Sequence, residues 1–237
     1  MAIGKTHLDM LDFVRREISL KSAWPLNTLC LSVPDILVST QDLGARYSNI
    51  SAVLTRSDTD QILTYHGLGS SFGVILDTRS FFEHLGLSPT FIDVKRHRGY
   101  EQLVDLNEHF PERYNRSYDL VLDSGTLEHC FNVGVAFRNM CDAVRLGGFL
   151  ITTAPISMVN HGFYNFCPTL YVDGLTDNGF EIVFLGIASK NQVIRLEPSS
   201  WLSRMNPPTE SVLHCLAKRV DSKEFTWPTQ TKYKGLL

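Results

Sequence analysis

The residues best equipped for chemistry cluster in the middle of the chain. Gly67, Gly69 and Gly73 fall within His66–Gly67–Leu68–Gly69–Ser70–Ser71–Phe72–Gly73. Glycines spaced in this way let a backbone turn tightly and approach a ligand that a Cβ would hold off. Asp93 follows at the end of the next apolar stretch, about where a doubly wound fold holds a ribose, and its carboxylate can accept charge-assisted hydrogen bonds from both ribose hydroxyls. The same residues also suit a surface loop before an ordinary strand-end aspartate, and both readings stay open at this point. Further on, His129 follows Glu128, and His161 sits in Val159–Pro168, a segment dense in polar and aromatic side chains such as a pocket rim carries. An imidazole exchanges its proton near neutral pH, which suits either ring to acid–base work. No pairing of histidines and carboxylates has metal-ligand spacing, so no metal is expected. The five cysteines are scattered, without a C-x-x-C pair, and read as reduced thiols of a cytoplasmic protein.

These residues need elements to position them. Leu8, Leu11, Val14 and Ile18 recur at spacings of three and four, which predicts an amphipathic helix ending at Trp24–Pro25. From there to about Asn49 the pattern is irregular, so residues 1–50 read as an N-terminal cap on an α/β domain of residues 51–237. Strands are expected at Gln61–His66, Thr90–Val94, Tyr118–Asp123 and Gly148–Thr153. Helices capped by Thr78 and Asn132 lie between them and stop at Gly86 and at Gly147–Gly148. Apolar strands alternating with helices imply βαβ units and a parallel sheet. Phe180–Ser189 and Ser211–Val220 read as an antiparallel pair at the sheet's end.

The stretch Tyr118–Asn132, continued by Ala136–Pro155, combines an aspartate-led strand, a Leu127–Glu128–His129 step, a helix, a Gly147–Gly148 turn and a strand ending at Pro155. In this it resembles class I S-adenosylmethionine-dependent methyltransferases, over about Gln61 to Val220. The resemblance implies a Rossmann-like α/β fold: a seven-stranded, mostly parallel sheet with the last strand antiparallel and helices on both faces. It also implies S-adenosyl-L-methionine as cofactor. Gly67 and Gly69 would approach its methionine part, Asp93 its ribose, and Asp105 with the Leu106 backbone its adenine edge. Asp123 and Ser124 would line the wall beside the sulfonium. The sequence departs from the family pattern at Tyr65–His66, where an acid is usual, and at Ser71, where a third glycine is usual. Asp123 is the expected compensating carboxylate. His161 and His129 are then the candidate bases for the methyl acceptor, with Asn160 and Tyr164 as groups that orient it.

Composition bounds the alternatives. The chain has 237 residues, a formal charge of −3 and mixed signs throughout, which disfavours a protein built to grip nucleic acid. No segment is apolar and long enough to span a bilayer, and no apolar run follows a basic start as in a secretory signal. Gly67, Gly69 and Gly73 with Asp93 also fit a nicotinamide-dependent oxidoreductase. None of the eight tyrosines, however, precedes a lysine by four positions as in short-chain dehydrogenases. A non-catalytic binding module is the other alternative. The expected activity is methyl transfer to a small polar acceptor, an oxygen of a sugar or glycan precursor, with a lid or a homodimer surface as the roles open to the N-terminal segment.

Overall fold

The computed structural model describes residues 1–19, 25–190, 192–201 and 203–234, so the helix stop read at Trp24 lies outside the described residues. The first helix, α1 (Lys5–Ser19), follows a two-residue strand, β1 (Ala2–Ile3). Leu8, Leu11, Val14 and Ile18 are all buried, as their spacing requires. Next come β2 (Leu26–Leu31), β3 (Asp35–Ile36), α2 (Thr40–Arg46), α3 (Thr59–Tyr65), α4 (Thr78–His84) and β4 (Leu87–Asp93). The second half supplies β5 (Gln102–Leu103), β6 (Tyr118–Ser124), α5 (Val133–Ala143), β7 (Val144–Pro155) and α6 (Pro168–Asp177). It ends with β8 (Phe180–Ser189), β9 (Gln192–Arg195) and β10 (Val212–Arg219).

The main sheet runs β5-β4-β2-β6-β7-β10-β8-β9. Strands β5, β4, β2, β6 and β7 pair in parallel, and β10 enters antiparallel between β7 and β8. β9 adds an antiparallel edge strand to β8. Without that edge strand, the sheet is the seven-stranded arrangement, last strand antiparallel, that the motif resemblance implied. Both faces are covered. Leu120, Leu122, Phe149 and Ile151 face one apolar layer with α1 and α4, whereas the alternate residues Val121 and Leu150 face the other with α5 and α6. Burial of each such large side chain is worth about 1.5–3 kcal/mol, which fixes the register.

Two expectations are corrected. Gln61–His66 is not a strand. Gln61–Tyr65 fall in α3, a short helix in which only Ile62 and Leu63 are buried, and His66 follows as the residue that ends it. The central strand is instead β2, whose pattern of Leu26, Leu29, Cys30 and Leu31 turned inward is too short to stand out in the sequence. The division at residue 50 therefore does not separate a cap from the sheet, because β2 is hydrogen-bonded to both β4 and β6. Among the described residues, no helix is long and apolar enough to cross a membrane.

Candidate active site

The carboxyl ends of β2, β4, β6 and β7 open onto a crevice, the place where open α/β sheets bind ligands. A cavity of about 240 Å³ lies there, lined by Ser32, Asp93, Asp105, Leu106, Thr126 and His129 among others. Asp93 ends β4; its Oδ1 accepts the Lys95 N–H at 3.1 Å. Asp105 turns the next loop by accepting the backbone and side-chain N–H of Asn107, at 2.9 and 2.8 Å. Asp93, Asp105 and Leu106 are thus brought together, although eleven residues lie between the two acids.

Gly67 and Gly69 are not part of this crevice. They follow α3, where Gly67 takes φ +65° and closes the helix through its N–H to the Thr64 carbonyl. An added Cβ at Gly67 would meet open space, and neither glycine lines the cavities at the strand ends. The turn after the central strand is Ser32–Val33–Pro34–Asp35, with Ser32 itself at φ 89°. Its Asp35 accepts hydrogen bonds from Arg98 at 2.5 Å and faces His66 Nε2 at 3.0 Å. Asp35, Asp58, Arg56 and Arg98 line a further cavity of about 350 Å³, next to Asp93. One guanidinium nitrogen of Arg98, Nη1, is buried without a partner. Met1 lies where these spaces join, its sulfur against the hydroxyls of Ser32 and Thr126.

A neighbouring cavity of about 310 Å³ contains Ser124, Glu128, His161, His7, His66 and His214. The loop after β7 places His161 here. Phe163 N–H donates to the Glu128 carbonyl at 2.8 Å, and Gly162 passes so close that a Cβ would lie 2.7 Å from the same oxygen. Glu128 itself is buried, with Oε2 unpartnered. Burial, joined by the charge of Asp123, pushes its carboxyl up. His129 is held below its ordinary value by burial and by His161. The two rings lie 5.4 Å apart.

Asp123 departs from expectation. It is fully buried, and its carboxylate accepts from the Thr152 hydroxyl at 2.7 Å and from the Thr126 and Gly125 N–H groups at 2.8 and 3.2 Å. It shapes the turn beneath the site instead of lining either cavity; of the two, only Ser124, itself buried, lines a cavity. Asn160 is exposed at φ 62°, and Tyr164 gives its hydroxyl to the Phe131 carbonyl at 2.8 Å; neither lines the two cavities.

His7 and His214 were invisible as site residues because α1 and β10 stand at opposite ends of the chain. Both bond the hydroxyl of Thr153, at 3.0 and 2.7 Å. The signal that could have singled out Glu128 was its place in the Leu127–Glu128–His129 step; nothing in the sequence marked Ser32 or Arg98.

No family model matches the chain, and no curated protein sequence matches it. Solved structures do. An N-methyltransferase, NodS from Bradyrhizobium japonicum in complex with S-adenosylhomocysteine, is 10% identical, with 92% of this chain and 89% of that one covered and a TM-score of 0.46. The 1,6-didemethyltoxoflavin-N1-methyltransferase of Burkholderia thailandensis, also with S-adenosylhomocysteine bound, is 12% identical over 91% and 80%, with a TM-score of 0.45. A 16S rRNA adenine methyltransferase from Catenulisporales acidiphilia is 12% identical over 91% and 92%, with a TM-score of 0.41. The chain's own strand pairing gives the expected topology independently of them.

Proposed function

We propose that the protein is an S-adenosylmethionine-dependent methyltransferase acting on an oxygen of a small polar acceptor, a sugar or glycan precursor. The observation that carries this reading is the meeting of Asp93, Asp105 and Leu106 in one cavity at the strand ends, next to a second cavity containing His161 and Glu128.

The residues fit the cofactor. The second oxygen of Asp93 makes no hydrogen bond among the described residues and is left for the ribose hydroxyls. The ion pairs Arg98–Asp35 and Arg56–Asp58 line the third cavity, so a ligand's carboxylate and ammonium would both meet an opposite charge there. That is the charge pattern of an amino-acid end, and it takes over the part expected of Gly67 and Gly69. When bound, the cofactor supplies an activated methyl group on a sulfonium.

The chain's own tasks are to align the acceptor, exclude water and remove a proton. Alignment at near-attack distance accounts for about 7–11 kcal/mol of barrier in well-oriented reactions. A positioned base adds about 10²–10⁴-fold. His161, facing the acceptor cavity with Glu128 behind it, is the base in this reading, and His129, on the cofactor side, is its partner. The sugar-type acceptor is supported by the polar groups that His66, His161 and Ser124 add to a cavity otherwise walled by Met1, Ala154, Pro155, Met158 and Val212.

Calorimetric titration with S-adenosylhomocysteine tests the cofactor assignment. Asp93→Ala removes charged hydrogen bonds worth about 1.5–3 kcal/mol each, so affinity should fall at least about tenfold. Unchanged affinity in Asp93→Ala, or stabilisation by NAD or NADP alone in thermal melts, overturns the reading.

A further inference from the structure

Glu128, His129 and His161 form a cluster that the spacing of the sequence concealed. Two are adjacent and the third comes from the loop after the next strand. In space, one ligand atom from each lies within 4.8 Å of the others. Nε2 of His161 is 3.6 Å and Nε2 of His129 is 3.9 Å from Glu128 Oε1. These separations exceed the roughly 2.7–3.2 Å of an N–H···O bond. They approach the spacing of atoms that each stand about 2.0–2.2 Å from one shared ion.

A second observation points the same way. The Glu128 side chain is 2% exposed, yet its Oε2 has no partner. A buried carboxylate normally finds a hydrogen bond, a counter-charge or a metal. Among the described residues no lysine or arginine pairs with it; its ionisable neighbours include Asp123, His129, His161, Cys130, Tyr171 and the chain's amino terminus. Both imidazoles are about half exposed, which leaves a route from solvent. The backbone holding them is fixed independently of the side chains by the Phe163 N–H bond to Glu128 and by the close pass of Gly162.

We infer that Glu128, His129 and His161 bind one divalent first-row transition-metal ion, with open coordination positions facing the acceptor cavity. Two imidazoles and one carboxylate form a borderline nitrogen–oxygen set suited to zinc, cobalt, iron or manganese rather than to calcium or magnesium. Modest ring movements close the distances. An acceptor oxygen in an open position would be oriented and acidified by the ion, and His161 would then act through the metal instead of taking the proton itself. This inference rests on the proposed methyl transfer only for the identity of the acceptor; the ion's binding does not require the cofactor.

The test uses untagged full-length protein stripped with a chelator and titrated with Co²⁺ alone, followed by its visible absorption bands and by calorimetry. One ion per chain should bind with a Kd in the micromolar range or tighter. Affinity should fall at least tenfold in His161→Ala and in His129→Ala, whose exposed rings can be removed without unfolding the chain, and should persist in His109→Ala. Absence of bands and heat at millimolar Co²⁺ overturns the inference, as does binding unchanged in the double variant lacking both rings. S-adenosylhomocysteine binding measured on the same samples separates the two proposals. Metal binding without nucleoside binding removes the methyl-transfer reading and keeps the metal site; the reverse result removes the metal and returns His161 to direct base.

Discussion

At the residue scale, a chain of hydrogen bonds fixes what the cavity beside His161 offers. The Gly4 N–H donates to His7 Nδ1 at 3.2 Å, so that nitrogen is the acceptor and Nε2 carries the proton. His7 Nε2–H then donates to the Thr153 hydroxyl, which passes its own hydrogen to His214 Nδ1. By this pairing His214 keeps its proton on Nε2 and presents a donor to the cavity. Burial, with the neighbouring His214, holds His7 well below 6.5, and burial alone brings His214 down to about 4. The pH consequence has a definite sign. Below 6.5 the unfolded chain takes up protons that the folded chain refuses, so stability present above pH 6.5 is lost as pH falls toward 4. For His214 alone the gap corresponds to about 3 kcal/mol. Burial of the Glu128 and Asp123 carboxyls acts in the opposite sense over the same range, so the histidine is read as a difference: the stability of His214→Gln relative to the native chain, from urea melts at pH 7 and pH 4.5, should rise as pH falls. A difference that does not change with pH would contradict the buried, neutral assignment.

At the scale of elements, the site depends on how the loop after β7 lies against the short turn that follows β6. Gly162 permits that contact because a Cβ there would stand 2.7 Å from the Glu128 carbonyl oxygen and 3.0 Å from its Cγ. Gly162→Ala must push the loop outward and carry His161 with it. The expected cost is about 1–3 kcal/mol, the usual range for overpacking, with the proposed methyl transfer reduced more than affinity for S-adenosylhomocysteine. A wild-type melting temperature and rate would show that the loop does not need its close pass. The N-terminal ribbon is the other positioning element. β1 pairs in parallel with β3, which sets Met1 at the junction of the cavities and His7, one turn into α1, over Thr153. Helix α4 shows how local chemistry and tertiary contact divide the work. The expected cap, Thr78, is buried and donates to the Pro34 carbonyl at 2.6 Å, while Asp77 caps the helix by accepting the Ser80 N–H at 2.9 Å.

Across the whole molecule, the segment after β10 is tied to the sheet through Arg219, which is 1% exposed. Its guanidinium donates to the carbonyls of Cys141 and Val144 at the end of α5, at 2.6 and 3.3 Å, and to those of Asp221 and Lys223 at 3.0 Å each. Arg219→Met keeps the bulk but leaves buried carbonyls without donors, each costing about 1–3 kcal/mol. A net loss of about 3 kcal/mol in chemical denaturation is expected, with cofactor affinity of the folded fraction unchanged because the cluster is remote from the crevice. A loss below 1 kcal/mol would show that water replaces the guanidinium. The same division between near and distant contacts explains what could be read in advance. Strands β6, β7, β8 and β10, helix α5 and the place of Asp93 followed from the sequence, since apolar periodicity and a strand-end acid are properties of neighbouring residues. Two finer expectations fail, for Asn132 precedes α5 without a side-chain cap bond and Gly147–Gly148 lie inside β7, past the helix end at Ala143. The central strand was missed because six residues with one exposed position carry too little pattern, and the glycine turn was consequently assigned to the loop after α3. The sequence by itself determined that an α/β sheet would present acids and the Glu128–His129 step at its strand ends. Only the tertiary structure decided that Ser32–Asp35 is the turn under the crevice, that His7 and His214 share one hydroxyl, and that Glu128 meets both His129 and His161. Those relations join segments up to the length of the chain apart, and backbone crossings of the sheet set them.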